Sequence, residues 1–552
     1  MEKIGSTLLS LQTNVNTSLS NRQPWQLVAI TSLTVLSSVW VWQFLFQDES
    51  ITVRAKKTFF KWCKKIPMVS KRLKKEMDTI SEKFIEDMEK RSKGIPYITN
   101  LPESGWSNTE IMNCLDKCLA AGDYDWKHGN VSGAVYYHDQ QLIQLLMNVY
   151  GKTSYTNPLH SDIFPGICKM EAEVVKITAN LFHGGPKTCG TMTSGGTESI
   201  MMACKALRDY SCHERGIKRG EIVLPKTAHP AFDKAALYLN MKITHVPVDP
   251  ITLAVDINKM QRAISNSTVM LVGSAPNFPY GTADNIEEIA ALGRKHNIPV
   301  HVDCCLGGFL TAFMPAAGFP VQKFDFAVPG VVSLSVDPHK FGFTPKGASV
   351  VLYADKKYRH HQYTVTTDWP GGVYGSPTVN GSRSGGTIAV CWATLMHFGF
   401  EGYIAATKEI ISTTKYLEEK LREIEEIYIY GRPMTSVIAF GSNKFHIFKL
   451  SEVLSAKGWN LNPLQFPSGI HICVTHMHTK QGVADRFLSD VKSAVTEIMK
   501  LPDPQDLSKG KMAMYGVAQS LPDRSIVGDI TRSFLDSLYF TPQHHSSQNG
   551  QI

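Results

Sequence analysis

Two apolar periodicities alternate along most of this chain. Short continuous apolar runs bounded by Gly, Pro or polar turns read as buried strands. Ile222–Leu224, Ile243–Val246, Val269–Val272, Ile298–Asp303, Phe324–Val328, Val331–Val336 and Ala348–Tyr353 are of this kind. Between them lie segments with apolar residues three and four apart, which predict helices. Pro165–Phe182 is one, with Ile167, Met170, Val174, Ile177 and Leu181 on one face; others start at Ala231 and span Ile286–His296. This alternation predicts an α/β fold with a mostly parallel sheet, in which ligands sit at the C-terminal ends of strands. From about Glu401 the pattern changes. A helix over 405–425, strands near Ile427–Tyr430, Val437–Phe440 and Gly469–Val474, and a closing helix over Val483–Lys500 predict a smaller α+β domain. The organisation expected is therefore an N-terminal segment of the catalytic part over 97–155, a large domain over 156–400, a small domain over 401–502 and a tail over 503–552. His544–Gly550 reads as disordered.

The N-terminus follows another pattern. Trp25–Phe46 carries no charged residue. As a helix it would be roughly 33 Å long, enough to cross a bilayer core of about 30 Å. Trp25, Trp40 and Trp42 stand where interfacial anchors would, and Gln43–Gln47 offers no small-residue cleavage site. A single membrane anchor over 25–46 is the expectation, with a buried helix or a signal peptide as the alternatives. Lys3 and Arg22 precede it; ten basic and no acidic residues follow between Arg54 and Lys75. The positive-inside rule then places 1–24 on the lumenal side and the catalytic part in the cytosol. The basic stretch within 47–96 can also meet anionic head groups. Asn16-Thr-Ser18 is a glycosylation sequon close to the membrane.

The formal net charge of +8 comes from that basic block, which leaves the rest near neutral. No basic stripe with interleaved aromatics is present there, so nucleic acid is not an expected partner. The 11 cysteines are scattered without a metal-ligand spacing, so no metal site is expected and a reducing compartment is.

The candidate chemistry centres on Val331–Gly347, where a strand-like run ends in Ser335, Asp337, His339 and Lys340, followed by a loop with Lys346. A lysine fixed at a strand end is what an enzyme needs to hold an aldehyde cofactor covalently. Pyridoxal 5'-phosphate also needs phosphate donors, a carboxylate at the pyridine nitrogen and a flat group on the ring. Thr191–Ser199 opens a helix whose Gly196 and Thr197 amides suit a phosphate, with Ser335 and His339 as additions. Asp303 and His229 supply the other two. Taken singly, Lys340 reads as a surface lysine, Thr197 as a helix cap, His229 as a structural histidine and Asp303 as a strand-end cap. Together they fall at strand ends of one sheet.

Thr193–Ser199, His301–Phe309 and Ser335–Gly347 resemble the pyridoxal-phosphate decarboxylase superfamily, of aspartate-aminotransferase-like fold (fold type I). Asn157-Pro-Leu-His160, the Tyr136 region, Trp369-Pro-Gly-Gly and Gly381-Ser-Arg383, with the anchor, resemble its branch that cleaves phosphorylated sphingoid bases. The resemblance spans roughly Trp25–Pro502. Ser384 stands where that branch has proline, and Cys305 follows Cys304 where a less thiol-rich pair is usual.

The resemblance implies a carbon–carbon lyase of the endoplasmic reticulum membrane that releases a long-chain aldehyde and phosphoethanolamine. It implies Tyr136, His160, Lys346 and Asn157 at the substrate. Tyr280 and Tyr374 become further candidates for phosphate contact or proton transfer. It also implies a homodimer with sites at the subunit interface. An amino-acid decarboxylase on the same fold, or an inactive membrane scaffold, are the alternatives; neither the anchor nor Lys346 is required by the first.

Overall fold

Six of the seven apolar runs, joined by Cys189–Thr193, become one sheet. Its strands are β1 (Cys189–Thr193), β2 (Glu221–Pro225), β3 (Lys242–Val246), β4 (Thr268–Ser274), β5 (Val300–Asp303), β6 (Val331–Val336) and β7 (Ser349–Tyr353). They lie in the order β1-β7-β6-β5-β4-β2-β3. The five strands from β3 to β6 pair in parallel, and β7 runs antiparallel to both β6 and β1. Only β7 is reversed, so the sheet is mostly parallel, as the alternation predicts. Every residue of β2 and β4 is buried. Ile222 and Leu224 enter one apolar cluster and Val223 the other, so both faces are covered. That is why these strands read as unbroken apolar runs instead of alternating ones.

The computed structural model describes residues 12–13, 15–17, 20–45, 51–507, 519 and 524–542. They fall into two units: Met1–Trp106 with Leu521–Ile552, and Ser107–Ser520. All the strands belong to the second. One predicted strand is not formed: Phe324–Val328 is a turn. There the Asp325 carboxylate accepts the Ala327 N–H at 2.9 Å and meets His183 Nδ1 at 2.7 Å, so it closes a local turn that a ladder would have to open.

Beyond β7, the hairpin β8 (Thr364–Thr366) and β9 (Tyr374–Ser376) leads to a helix over Gly385–Arg422. It breaks at Gly399, whose φ of 56° and ψ of −173° are not helical. The break accounts for the change of pattern near Glu401. An antiparallel sheet follows in the order β10-β11-β13-β12, built from β10 (Tyr428–Ile429), β11 (Val437–Gly441), β12 (Asn462–Leu464) and β13 (Gly469–Cys473). Its own core includes Phe440, Phe448, Trp459 and Phe487.

In the first unit the helix Pro24–Leu45 is long and apolar enough to cross a bilayer; its window Pro24–Val41 has a mean hydropathy of 1.3 and no buried residue. Phe46, the predicted end of the span, lies outside the described residues, as do Ser18 of the sequon and the tail His544–Gly550. The basic block falls on the helices Ile51–Cys63 and Pro67–Arg91 and, with Lys64 and Lys65, on the turn between them. Against the second packs a helix from the C-terminal tail, Arg524–Ser537, with Phe84 and Phe534 edge to face at 5.5 Å and Lys64 beside Asp529 at 3.8 Å.

Candidate active site

Because β2, β5 and β6 are parallel, their C-terminal ends lie on one side of the sheet. His229 follows β2, Asp303 ends β5, and Asp337-Pro-His-Lys340 follows β6. A cavity of about 420 Å³ opens here, walled by Ser194–Glu198, Ile200, His229, Cys305, Asp337, His339 and Lys340. Residues predicted from three separate stretches of sequence thus share one wall: Gly196 and Thr197, His229, and His339 with Lys340.

The helix Gly196–Arg215 meets the cavity with its first turn. Gly195 is its cap residue and offers no side chain; Thr197, the cap candidate in the sequence, sits inside the first turn. The Glu198 carboxylate turns back instead to accept Ser194 N–H at 2.7 Å and Ser194 Oγ–H at 2.5 Å. The helix therefore presents backbone N–H groups and the positive end of its dipole to the cavity without a capping oxygen in front of them, the arrangement that binds phosphate. Gly196 has no room for a side chain: a Cβ there would lie 2.6 Å from Asp337 Oδ2 and 3.0 Å from Cys305 Sγ.

Asp337 is the feature that sequence reasoning left without a role. Its side chain is 1% exposed, with Lys340 Nζ at 2.9 Å and His339 Nε2 at 3.5 Å. Burial opposes its charge most, but the Lys340 ammonium, together with His339 and the Ser349 hydroxyl, outweighs burial and holds the carboxyl well below its ordinary value. Burial likewise opposes the Lys340 charge most, and the Asp337 carboxylate, with smaller contributions from Cys305 and Tyr136, more than reverses it, so the amine is held as ammonium. His339 Nδ1 accepts from the backbone N–H of Gly347 (3.3 Å) and Ala348 (3.2 Å), which puts the ring proton on Nε2, toward Asp337. For Asp337, a place three residues before Lys340 was the available signal.

Ser335 is not in the cavity wall. Its hydroxyl is fully buried and donates to Asp303 Oδ1 at 3.3 Å. Asp303 also accepts, on Oδ1, the N–H of the wall residue Cys305 at 3.0 Å.

Lys346 and Tyr136 form a pair: Lys346 Nζ lies 4.6 Å from the Tyr136 ring centroid, and the ring packs edge-on against Phe341 at 4.8 Å. Lys346 Nζ also donates to the His339 carbonyl at 3.4 Å. Burial, then the Lys340 charge, lower the Lys346 pKa. Burial raises that of the Tyr136 phenol strongly. Cys473 on β13 sits against this pair through Gly133, whose φ of 63° only glycine adopts freely and whose Cβ would lie 3.5 Å from Cys473 Cβ. More than a hundred residues separate Cys473 from Lys346, and nothing in the sequence signals their proximity.

The other predicted residues lie outside the cavity wall. Tyr280 is 4% exposed and packs on Tyr430 at 5.5 Å. Asn157 Oδ1 accepts the N–H of Leu159 and of Arg383, each at 3.1 Å, and His160 is exposed. Tyr374 stands on β9, edge-on to Trp369 at 6.3 Å.

The donor set fits pyridoxal 5'-phosphate: an amine at a strand end, an uncapped helix N-terminus, a histidine on the cavity wall and a carboxylate beneath it. Fold and site define a pyridoxal-phosphate-dependent enzyme of fold type I. Residues 96–443 match the family model of the pyridoxal-dependent decarboxylase conserved domain. The sphingosine-1-phosphate lyase of Drosophila melanogaster is 56% identical over 528 residues, 96% of each chain. Sphingosine-1-phosphate lyase 1 of Mus musculus is 48% identical over 96% of this chain and 92% of its own. The solved sphingosine-1-phosphate lyase of Burkholderia pseudomallei matches with a TM-score of 0.71 and 41% identity, over 73% of this chain and 94% of that one. The chain belongs to the pyridoxal-dependent decarboxylase family and, within it, to the sphingosine-1-phosphate lyases.

Proposed function

We propose that this chain cleaves phosphorylated sphingoid bases between the amine-bearing and hydroxyl-bearing carbons, yielding a long-chain aldehyde and phosphoethanolamine. The observation that carries the reading is 56% identity to a lyase of that name along 96% of both chains. Bound at Lys340, pyridoxal 5'-phosphate supplies the sink for the electron pair that the breaking carbon–carbon bond releases.

The protein's own groups do the rest. Lys340 gives the attaching amine, and Asp337 balances its charge whenever that amine is free. Gly196 and Thr197 hold the cofactor's phosphate through backbone N–H groups, with His339 beside them, while His229 covers the ring and Asp303 keeps its nitrogen protonated. Lys346 meets the substrate's phosphate: burial and the Lys340 charge lower its pKa, and a phosphate dianion beside it would favour its charged form. Tyr136 keeps its phenolic proton near neutral pH, so it acts as a hydrogen-bond donor to that phosphate and not as a base. His160, Asn157, Tyr280 and Tyr374 complete the substrate site in a homodimer, where a second subunit faces the cavity.

The chain is a single-pass protein of the endoplasmic reticulum membrane, with its N-terminus lumenal and its catalytic part cytosolic. The Pro24–Leu45 helix and the ten basic residues after it support this orientation. On the helix Ile51–Cys63, exposed Phe59 and Trp62 stand beside Lys56 and Lys61, a composition that suits an anionic membrane surface. An amphiphilic substrate is thus met where it resides.

Aldehyde release from a phosphorylated sphingoid base, dependent on added pyridoxal 5'-phosphate and lost in Lys340→Ala, is the expected result. Carbon dioxide from an amino acid with no aldehyde would place the chain among decarboxylases instead. A purified protein with no visible cofactor absorption would leave only a scaffold.

A further inference from the structure

Behind Asp303 runs a closed chain of buried polar groups. His301 on β5 is fully buried, as are Ser333 and Ser335 on β6. The register of the two strands sets Ser333 opposite His301 and Ser335 opposite Asp303. His301 Nδ1 lies 2.7 Å from Ser333 Oγ, its Nε2 lies 3.2 Å from Ser335 Oγ, and Ser335 Oγ lies 3.3 Å from Asp303 Oδ1.

The proton positions in this chain follow from counting. A carboxylate only accepts, so the single Ser335 hydroxyl proton goes to Asp303. Ser335 oxygen must then accept from His301, which puts the ring proton on Nε2. Burial lowers the His301 pKa to about 4, so the ring is neutral near pH 7 and Nδ1 is bare. Nδ1 therefore accepts the Ser333 hydroxyl proton. Every donor points the same way, toward Asp303. Phe232 closes the outer side of the His301 ring at 5.8 Å, edge to face.

Asp303 is fixed as a result. Both of its side-chain hydrogen bonds, from Ser335 and from the Cys305 amide, fall on Oδ1. Among the described residues none donates to Oδ2.

We propose that Ser335 and His301 are positioning residues that lock the Asp303 carboxylate on Oδ1 and so leave Oδ2 for the nitrogen of the cofactor ring. This rests on the pyridoxal-phosphate reading above. It assigns Ser335 to the carboxylate, where the sequence had suggested the phosphate, and gives His301 a purpose that its burial alone does not explain. A polar chain is worth its desolvation only when every member is satisfied, and here each is.

The test uses purified full-length holoenzyme and compares it with Ser335→Ala, Ser335→Thr and Asp303→Asn, and with Ser335→Ala in the Asp303→Asn background. Equilibrium dialysis gives the dissociation constant of pyridoxal 5'-phosphate, and visible absorption against pH gives the titration of the bound cofactor. Ser335→Ala is expected to weaken cofactor binding about tenfold or more and to shift that titration, because a hydrogen bond to a charged group is lost. Ser335→Thr keeps the hydroxyl and should stay within about twofold. In the Asp303→Asn background, Ser335→Ala should add less than about twofold, since the two act as one unit. Parent-like binding and titration in Ser335→Ala overturn the proposal, as does an equal loss in the Asp303→Asn background or in Ser335→Thr. If Ser335→Ala does not fold, Ser333→Ala is read in its place, with an expected loss of about threefold and no loss overturning the proposal. A parent enzyme that binds no cofactor would remove the functional reading itself; a parent that binds it, with an unaltered variant, removes only the positioning chain.

Discussion

Asp337 holds Lys340 at 2.9 Å, three residues along the same loop. The contact sets the charge state of the amine that the chemistry needs, and it does so from inside the protein. Breaking one side of such a pair leaves the other uncompensated. Asp337→Asn is expected to destabilise the cofactor-free protein by about 2 kcal/mol, less than a wholly buried pair would cost because the Lys340 side chain keeps 22% exposure. The double variant Asp337→Asn, Lys340→Met should recover most of that. Chemical denaturation of the three proteins measures it; additive losses would mean that the two groups do not act as a pair.

Gly196→Ala tests the phosphate cradle. The added methyl would press on Asp337 and Cys305 at the helix start. Weaker retention of pyridoxal 5'-phosphate, by about tenfold or more, is expected on dialysis, with the helix content in circular dichroism unchanged. Unchanged retention would place the phosphate elsewhere.

Lys346→Ala separates cofactor from substrate. The variant should keep the visible absorption of the bound cofactor and lose kcat/KM by about a hundredfold or more, most of it through the substrate's phosphate. A dephosphorylated sphingoid base should bind parent and variant alike. A variant that still discriminates between the two bases would remove Lys346 from the phosphate site.

Acid should unfold this protein with proton uptake. Burial lowers His301, His471 and His478 to about 4 each. A depressed histidine pKa means that the unfolded chain binds more protons, so the stability these residues contribute is present above about 6.5 and is lost as pH falls toward 4. Asp284 acts oppositely: burial raises it to about 6, so the folded state binds its proton first, and the stability it contributes is lost as pH rises through that value. The net uptake on unfolding at pH 5 is then about two protons from these four groups. Denaturation midpoints from pH 7.5 to pH 4.5 measure it, and stability that rises on acidification over that range would contradict it.

Removing residues 1–46 deletes the Pro24–Leu45 helix. The remaining chain is expected to leave the membrane fraction in high salt while keeping the cofactor. Retention in membranes after salt washing would assign anchoring to the segments beyond the helix.

Much of this was legible in advance. The alternation of strands and helices was, because strands covered on both faces must be apolar throughout, and β2 and β4 are. So was the meeting of His229 and Lys340 on one cavity wall, with Asp303 ending β5 at the same edge of the sheet, because parallel strands bring their ends together whatever the loops do. Phe324–Val328 misled, because its apolar pattern says nothing of Asp325, which reaches across to His183. Ser335 misled for a related reason: a hydroxyl near a cofactor lysine has several partners within reach, and only the strand register selects Asp303.

By itself, the chain's order of residues determined most strands of the sheet, the apolar helix Pro24–Leu45, the lysine segment and the family, since each rests on local periodicity or on a contiguous motif. The tertiary structure alone decided which groups face the cavity and in which charge state. Asp337 is charged because Lys340 lies beside it, His301 is neutral because no water reaches it, and Cys473 meets the Tyr136 and Lys346 pair from β13. Burial and long-range pairing set these energies, and neither quantity belongs to any single stretch of sequence.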